Sequence, residues 1–423
     1  MAVLRSNGSI ALRRLSSLWL RSGMGVVENR SVVESSQWSG EGLSCAGLNR
    51  VGRRCEGIHS DASAGGLDHY KVAVVGAGPA GLAVVSTLLD HGCTSILWID
   101  PRFNSGRLSS YTEVPSNTKV KLFQQFVTTS PTLNRFASQA LEHYNGQDPD
   151  RGCSLSLAVR MVKTLTDCIR QQDVNRVRCS ENVVKELSFL DGKWHIDSGE
   201  VVDQVYLVTG SMPSKYDTQS GVEDIHLDLA LKPSSLAGLV SECDTVGVVG
   251  SSHSAMLALR NLVDCKVQPK KIINFYRSPL LYAQYMDNWI LYDNTGLKGE
   301  VAEWAVKEVD TGNLEDKGIV TRVCVKGLTL DEQIAHWQRC TKLIQAVGFC
   351  RNVLPKITVI GQELVDVKYD PLNGRIADGL FGYGIAFPEQ TTDPYGNREL
   401  AVGLWKFMRY ARATIPTHFS HLL

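Results

Sequence analysis

The chain has 423 residues, of which 43% are hydrophobic and 21% charged, and its 44 basic residues balance 44 acidic ones. This length is enough for two domains with full cores. The neutral charge balance gives no basic surface of the kind that binds nucleic acid, so we expect no nucleic-acid partner. Because no apolar run reaches the length of a membrane span, we expect no integral membrane segment.

The first 64 residues differ from the rest of the chain. Arginines and serines are frequent in the first 27 residues, and no acidic residue precedes Glu28. On a helical wheel, apolar side chains of residues 11–19 mostly lie opposite the arginines. An Arg-rich, acid-free amphipathic stretch is typical of an organellar presequence. We therefore expect residues 1–64 to be a mitochondrial presequence and disordered segment; the alternative is an extension without a targeting role.

The eleven cysteines include no CxxC pair. Redox-active dithiols and zinc ribbons are built from such closely spaced cysteines. We therefore expect neither a redox dithiol nor a metal site, and we expect most of the cysteines to be buried thiols.

The strongest motif lies between Lys71 and Asp100. An apolar run over 72–75 leads into a GxGxxG turn, a helical pattern follows, and a second apolar run ends on Asp100. Strand, glycine turn, helix, strand and acid in this order are the fingerprint of a dinucleotide-binding unit. The residues expected to contact the dinucleotide are Gly76, Gly78, Pro79, Ala80, Gly81 and Asp100.

Each part of this unit has a physical role. Gly76 permits the tight turn, Gly78 lets the backbone approach a pyrophosphate, and Gly81 lets helix and strand pack closely. The N-terminus of the helix presents unpaired N–H groups to the phosphates. Asp100 lies nineteen residues beyond Gly81, a suitable distance for a carboxylate that accepts the ribose hydroxyls.

The next hundred residues alternate between loop, helix and strand patterns. Residues 101–119 are rich in Gly, Ser, Pro and Asn, which predicts a loop along the cofactor. Helical spacing predicts helices over about 133–144 and 155–172. Strand patterns between 182 and 207, with an Asp-Gly turn, predict a three-stranded β-meander.

The predicted meander runs into Thr209 and Gly210. Small residues at the end of a strand let the chain cross a cofactor or enter a hinge. We therefore count both residues among the expected cofactor contacts.

A second unit of the same kind begins near residue 245. A strand is followed by Gly250, Ser252 and Ser254, then by a helix, and then by a strand that ends at Arg277. Ser252 stands where the motif usually has its middle glycine. An arginine rather than an acid at this strand end suits a 2′-phosphate, which favours NADPH over NADH. The alternative for Arg277 is a solvated charge at a strand end.

His253 follows the second turn, and we interpret it as a loop hydrogen-bonding residue rather than a catalytic base. The aromatic segment 276–304 is compatible with a substrate pocket or with packing between domains. Residues 332–347 are predicted to form a helix.

The C-terminal part contains a glycine-rich stretch over 379–388 before a helix predicted at about 399–413. Gly382 and Gly384 could present backbone donors to a cofactor ring. The stretch could equally be a tight turn of the core.

Two dinucleotide units, a meander, a Thr-Gly strand end and a glycine-rich return resemble the two-dinucleotide-binding-domain flavoproteins. This superfamily includes the pyridine nucleotide-disulfide oxidoreductases and the class B flavin-containing monooxygenases. The resemblance implies an α/β fold in which an FAD-binding Rossmann-like domain carries an inserted NAD(P)H-binding Rossmann-like domain and a three-stranded β-meander. It assigns residues 65–215 and 345–423 to the FAD-binding domain and 216–344 to the NAD(P)H-binding domain.

Within this superfamily, residues 106–119 are most similar to the monooxygenase branch, which has a Gly, an aromatic residue and an Asn before a basic residue at this place. The similarity implies that Asn117 lies beside the flavin. The FxGxxxHxxxW-type signature of that branch is missing, since only Gly221 and His226 stand near its place. The disulfide branch fits worse, because its Cys pair after the first helix is absent.

The resemblance favours an enzyme with FAD and NADPH as cofactors. NADPH would reduce FAD, and oxygen would then be activated to oxygenate a small molecule at a soft nitrogen or sulfur centre. Two alternatives stay open. One is a reductase that passes electrons to a quinone or an iron–sulfur protein; the other is a catalytically idle protein that acts through partners.

Overall fold

The computed structural model describes residues 68–218 and 221–419. The expected presequence, residues 1–64, lies outside these residues. The strands, in chain order, are β1 His69–Val75, β2 Ile96–Ile99, β3 Val177–Ser180, β4 Glu186–Leu190, β5 Lys193–Ile196, β6 Val201–Leu207, β7 Ser211–Pro213, β8 Glu223–Ile225, β9 Thr245–Val249, β10 Lys271–Tyr276, β11 Gln284–Tyr285, β12 Ile290–Leu291, β13 Val320–Cys324, β14 Lys342–Gln345, β15 Phe349–Arg351, β16 Lys356–Val359, β17 Gln362–Glu363, β18 Arg375–Ala377, β19 Leu380–Gly382, β20 Glu389–Thr392 and β21 Arg398–Ala401.

The α-helices are α1 Pro79–Asp90, α2 Val120–Thr128, α3 Pro131–Asn134, α4 Ala137–Ala140, α5 Leu155–Gln172, α6 Leu227–Ala230, α7 Pro233–Leu236, α8 His253–Val263, α9 Gly299–Ala305, α10 Asn313–Asp316, α11 Leu330–Trp337 and α12 Leu404–Phe419. Short 3-10 helices occur at Gly106–Tyr111, Glu142–Tyr144 and Gly384–Ala386, and α9 continues as a π-helix over Val306–Asp310.

The larger sheet has ten strands and carries the first dinucleotide unit. Its parallel part has the order β3-β2-β1-β6-β19, and β4 and β5 join β6 as an antiparallel meander that β16 and β17 extend. The apolar strand β1 is buried between two neighbours, as expected for a central parallel strand. Helix α1 covers one face, and α12 from the end of the chain packs against it through Met408, Ala411 and Ile415.

The smaller sheet carries the second dinucleotide unit. Its five strands are all parallel, in the order β13-β10-β9-β14-β8. The carboxyl ends of β9 and β10 meet at one edge, where α8 begins. This is the edge at which parallel α/β sheets bind ligands.

Two chain crossings join the sheets, and they are paired with each other. Strand β7, which follows β6, forms an antiparallel pair with β15, which follows β14. Pro213 lies opposite Phe349 and Ser211 lies opposite Arg351. We call the part of the chain built on the larger sheet the first half, and the part built on the smaller sheet the second half. The chain therefore leaves the first half and returns to it at the same place.

The prediction of an α/β fold with two Rossmann-like units and a meander is confirmed, and α5 has the predicted bounds. The helix predicted over 332–347 is wrong beyond Trp337, because Leu343 and Ile344 belong to β14 in the middle of the second sheet. A short run that is buried on both faces has no period that separates strand from helix.

Three other predictions need correction. The last helix begins at Leu404 instead of 399. Residues 398–401 form the second strand of a β-hairpin, and Gly403, at φ +145°, has a backbone conformation that a helix does not allow. The helix expected over 133–144 is broken into α3, α4 and a 3-10 turn. The expected loop over 101–119 contains the 3-10 helix Gly106–Tyr111.

Candidate functional site

The first glycine turn is held in place by close backbone contacts. A Cβ on Gly76, at φ +119°, would lie 2.5 Å from the Val208 carbonyl oxygen, and a Cβ on Gly81 would lie 2.1 Å from the Gly76 carbonyl oxygen. Pro79 is the first residue of α1, where its missing N–H costs nothing. The turn therefore accepts only glycine at these two places, and the N-terminus of α1 is left open for an anion.

Asp100 is held at the carboxyl end of β2 by three backbone N–H groups. Ala77 donates to its Oδ2 over 2.8 Å, and Arg102 and Phe103 donate to its Oδ1 over 2.9 and 2.8 Å. A carboxylate has about four acceptor positions, so one remains for a ligand hydroxyl. The structure thus places Asp100 beside the glycine turn in a fixed orientation.

Two later segments close on the start of α1. A Cβ on Gly106 would lie 3.1 Å from the Gly78 Cα, and a Cβ on Gly384 would lie 2.5 Å from the Ala80 Cβ. Gly382 has a different reason for being glycine, because a Cβ there would strike the Phe387 ring at 2.3 Å. The C-terminal glycine-rich stretch therefore makes a tight core turn at Gly382 and approaches the predicted cofactor site at Gly384.

The strand end at Thr209 and Gly210 lies next to the first turn, since Leu207 pairs with the end of β1. Asn352, from the returning chain, donates its Nδ2 to the Thr209 carbonyl over 2.7 Å and its backbone N–H to the Gly210 carbonyl over 3.1 Å. Asn352 had no signal in the sequence, because the contact joins segments 143 residues apart.

Three side-chain oxygens around this turn are shielded from solvent and lack a hydrogen-bond partner. They are Oδ1 of Asn104, Oγ1 of Thr209 and Oγ of Ser211. An unsatisfied buried polar atom costs about 1–3 kcal/mol. These atoms, the glycine cradle and the fixed Asp100 carboxylate are the donors and acceptors that a bound dinucleotide would satisfy, so the residues present fit FAD.

The second turn borders a cavity of about 500 Å³. Gly250, at φ +128°, cannot carry a side chain because its Cβ would lie 2.4 Å from the Ala346 carbonyl oxygen. Ser252 is the N-cap of α8 but makes no capping bond with its side chain, and Ser254 is the second residue of the helix. The cavity brings Gly250, Ser252 and Arg277 together.

Arg277 is exposed on the cavity wall and donates to the Tyr216 hydroxyl over 2.7 Å. Lys326, which follows β13, lines the same cavity and adds a second cation. Tyr216 itself stacks on Trp337, with ring centroids 5.9 Å apart. Neither Lys326 nor Tyr216 belongs to the sequence motif of this unit. The signal in the sequence for Lys326 is its place just after a strand of the same unit.

Asn117 is exposed and lies beside the start of α9: a Cβ on Gly299 would be 3.6 Å from the Asn117 Cα. Its Oδ1 is 3.5 Å from the Thr118 hydroxyl, a long contact that leaves the amide group available. Asn117 belongs to the first half and Gly299 to the segment that follows the second turn. The structure therefore places Asn117 where the two halves meet.

A cluster of three polar residues also joins the halves. Arg107 pairs with Asp228 of α6, and the Tyr111 hydroxyl donates to Asp228 over 3.0 Å. Arg107 also donates to the Tyr111 hydroxyl over 3.0 Å. Burial, helped by the Asp228 charge, raises the pKa of Tyr111 to about 12, so the phenol stays protonated and can donate.

The aromatic segment 276–304 is tied to the C-terminal segment by charged groups. Asp293 accepts from Lys298 over 2.8 Å and from Lys406 of α12 over 2.6 Å. Although burial alone would raise it, these two cations hold the pKa of Asp293 below its usual value. Asn294 and Thr295 both donate to Glu399. Packing between the halves is therefore one role of this segment.

The same segment also presents aromatic groups to the outside. Lys119 Nζ lies 5.4 Å from the centroid of the exposed Tyr285 ring. Trp289 meets Tyr395 edge to face, with centroids 5.0 Å apart. The interpretation of this segment as part of a substrate pocket stays a prediction.

A larger cavity of about 880 Å³ lies elsewhere, between the loop at Glu113 and helices α7 and α8. It contains none of the predicted site residues. Across residues 68–218 and 221–419, no group of three or more His, Cys, Asp or Glu side chains is arranged to hold a metal ion. The described helices include none that is long and apolar enough to cross a membrane.

Comparison with curated proteins identifies the family. Monooxygenase AgnR1 from Paecilomyces divaricatus is 38% identical over 383 residues, a match that covers 81% of this chain and 96% of AgnR1. The chain belongs to the family of this monooxygenase. The prediction of the monooxygenase branch is thereby confirmed. No protein-family model matches the chain.

Solved structures share the fold at much lower identity. The ornithine N-hydroxylase of Kutzneria sp. 744, solved with reduced FAD, NADP+ and L-ornithine, has a TM-score of 0.55 and 10% identity, and covers 84% of this chain and 100% of its own. The FAD-bound cadaverine monooxygenase of Erwinia amylovora has a TM-score of 0.52 and 13% identity, with 74% and 88% covered. The fold predicted from the two dinucleotide units is the fold of these flavoproteins.

Proposed function

We propose that this monooxygenase uses FAD and NADPH to oxygenate a small molecule at a soft nitrogen or sulfur centre. The observations that carry the proposal are two dinucleotide turns, one on each sheet, and an exposed Asn117 that lies against Gly299 of the second half. When bound, NADPH and FAD would supply hydride transfer and oxygen activation, the chemistry that this chain's own residues do not provide. The structures of fold relatives with FAD and NADP+ support this choice of cofactors.

In this proposal, the first half holds FAD. Gly76, Gly78 and the first turn of α1 would bind the pyrophosphate, and Asp100 would accept a ribose hydroxyl at its remaining acceptor position. Thr209 and Gly384 would also contact FAD, and their positions beside the first turn support this assignment. The chain segments 65–215 and 345–423 would then form the FAD-binding domain.

The second half, residues 216–344, would bind NADPH. Gly250 and the N-terminus of α8, with Ser252 and Ser254, receive the pyrophosphate. Arg277 and Lys326 supply the two cations in the cavity wall, and a 2′-phosphate is the group of NADPH that uses them. NADH lacks this phosphate, so the pair of cations favours NADPH.

Asn117 is the residue we assign to the reaction itself. Its amide group makes only a long contact with the Thr118 hydroxyl, so it could donate to and accept from a nucleotide bound beside it. It would orient the nicotinamide nucleotide and shield the flavin from water during oxygen activation, a role that needs no nucleophile or metal. Oxygenation at a soft centre similarly demands positioning rather than acid–base chemistry.

We also propose that residues 1–64 direct the protein to mitochondria, on the basis of their Arg-rich amphipathic composition. Fusion of residues 1–64 to a fluorescent protein tests this. Mitochondrial fluorescence is the expected result, and a diffuse signal like that of the fluorescent protein alone would contradict the proposal.

The test of function uses the purified protein and its visible spectrum. We expect flavin absorbance, bleaching by NADPH without oxygen, and much slower bleaching by NADH. When oxygen is admitted, a delay before oxidised flavin returns is expected of a monooxygenase. Immediate return with stoichiometric peroxide would contradict the monooxygenase assignment, and a folded protein without flavin absorbance would contradict FAD binding.

A further inference from the structure

His253 is a buried titratable residue that the proposed function does not yet use. It is the first residue of α8 and directly follows Ser252, which lines the cavity of about 500 Å³ at the second turn. Its Nδ1 atom is shielded from solvent and has no hydrogen-bond partner. Leaving such an atom unsatisfied is unfavourable, so a ligand that supplied the partner would gain binding energy from it.

The surroundings of His253 indicate which part of the nucleotide could reach it. Lys298 lies close enough to His253 to affect its charge. The next residue, Gly299, lies against Asn117, with 3.6 Å between its Cβ position and the Asn117 Cα. His253 therefore lies on the side of the α8 N-terminus that faces the junction, whereas Arg277 lies at the strand end in the cavity wall.

The charge state of His253 further restricts which chemical groups could be its partner. Burial, and then the Lys298 charge, lower the pKa of the ring to about 4, so the imidazole is neutral at physiological pH. The neutral His253 ring gives Lys298 no counter-charge; the Lys298 ammonium is instead paired with the Asp293 carboxylate. A neutral imidazole suits a neutral polar group better than a phosphate. The neutral polar groups at the nicotinamide end of the nucleotide are the carboxamide and the ribose hydroxyls.

We propose that His253 is a positioning residue whose Nδ1 hydrogen-bonds the nicotinamide end of bound NADP(H) and seats that end beside Asn117. This inference rests on the proposed function, because it requires the second turn to bind NADP(H). It adds a specific contact at the end of the nucleotide opposite to the 2′-phosphate.

Two polar variants separate the ring positions. His253→Asn keeps a polar atom near the position of Nδ1, whereas His253→Gln moves it toward the position of Nε2. We would measure the affinity of the FAD-loaded enzyme for NADP+ and for 2′,5′-ADP, which lacks the nicotinamide end. His143→Gln, at an exposed histidine of the first half, is the control.

For His253→Gln we expect NADP+ affinity to fall about tenfold, the size expected for one neutral hydrogen bond, with 2′,5′-ADP affinity within twofold of wild type. His253→Asn should stay within about threefold for both ligands. An equal loss of affinity for both ligands would overturn the inference, because His253 would then only shape the loop. Unchanged binding of both ligands by His253→Gln would overturn it as well.

The same experiment distinguishes the two levels of proposal. If wild-type enzyme holds FAD and binds 2′,5′-ADP, a failed prediction at His253 leaves the proposed NADPH site intact. If wild-type enzyme binds neither NADP+ nor 2′,5′-ADP, the proposed NADPH site is wrong and the inference about His253 is overturned with it.

Discussion

Arg107 and Asp228 form an ion pair between the two nucleotide-binding halves, and the Tyr111 hydroxyl donates to the same carboxylate. Arg107 follows Gly106, which lies against Gly78 of the first turn. The second half is therefore linked, through Arg107 and Gly106, to the turn that is proposed to hold the FAD pyrophosphate.

Replacing Arg107 should destabilise the protein more than an ordinary surface substitution does. In Arg107→Ala, Asp228 loses its cationic partner while its side chain stays only 16% exposed, so we expect a loss of about 2 kcal/mol of unfolding free energy. Asp228→Asn should cost a similar amount, and the double variant should cost less than the sum. Chemical denaturation measures all three.

The matched control is a second ion pair across the halves. Arg151 and Glu303 are 3.6 Å apart and more than 60% exposed, so Arg151→Ala should change stability by less than about 0.5 kcal/mol. Equal effects at Arg107 and Arg151, or full additivity of the double variant, would show that the Arg107–Asp228 contact has no special role.

Gly106→Ala should impair FAD binding. A methyl group there would press on the Gly78 Cα at 3.1 Å and would also strain a residue at φ +59°. We expect FAD affinity to fall at least tenfold, as measured by flavin release in dialysis. Gly146→Ala introduces comparable strain at φ +80° with no atom within 4 Å, so it controls for strain alone. Equal flavin retention in both variants would contradict the contact's role.

Arg277→Ala should reduce the preference for NADPH. One charge-assisted hydrogen bond is worth about 1.5–3 kcal/mol, so we expect the apparent Kd for NADPH to rise about 10- to 100-fold while that for NADH stays within threefold. Lys326→Ala should act in the same direction. Anaerobic titration of flavin reduction gives both values. Arg339→Ala, an exposed arginine outside the cavity, should have no effect.

Asn117→Ala should affect the reaction with oxygen without affecting the reduction of the flavin by NADPH. Since Asn117 is exposed and makes only a long contact with Thr118, the variant should fold normally and still be reduced by NADPH. The fraction of NADPH consumed that appears as peroxide should rise severalfold. Peroxide yield is measured with Asn145→Ala as an exposed control. An unchanged yield would refute the role assigned to Asn117.

Stability should fall as the pH is lowered from about 6.5 to about 4. Burial lowers the pKa of both His253 and His418 to about 4, so between these limits the unfolded chain binds more protons than the folded one. The His418 ring stacks on Phe381 at 4.0 Å between centroids. His253 could contribute up to ~3 kcal/mol of this loss. His418 should contribute less, because it is only partly buried and solvent screens its charge.

His418→Gln should flatten the stability curve in this window, as measured by denaturation at pH 4.5 and 7. Its loss of stability relative to wild type should be larger at pH 7 than at pH 4.5. A pH dependence identical to that of wild type would show that His418 does not cause the loss.

The sequence was sufficient for the local units and insufficient for contacts between distant segments. The turn at Gly76 and the turn at Gly250 were recognised because each unit has all its parts within about thirty residues. Strand β14 was mistaken for a helix because it is short and buried on both faces. Asn352 and the Arg107–Asp228 pair depend on segments more than 100 residues apart, for which one sequence carries no signal.

The pairing of β7 with β15 has a consequence for engineering. Since Pro213 lies opposite Phe349, the ends left by removal of the intervening residues are already side by side and aligned as a hairpin. A two-residue turn could connect them without moving either strand. The smaller sheet could thus be cut out, or exchanged for that of a relative, as a single cassette, with its junction at a place where the backbone hydrogen bonds of both ends are retained.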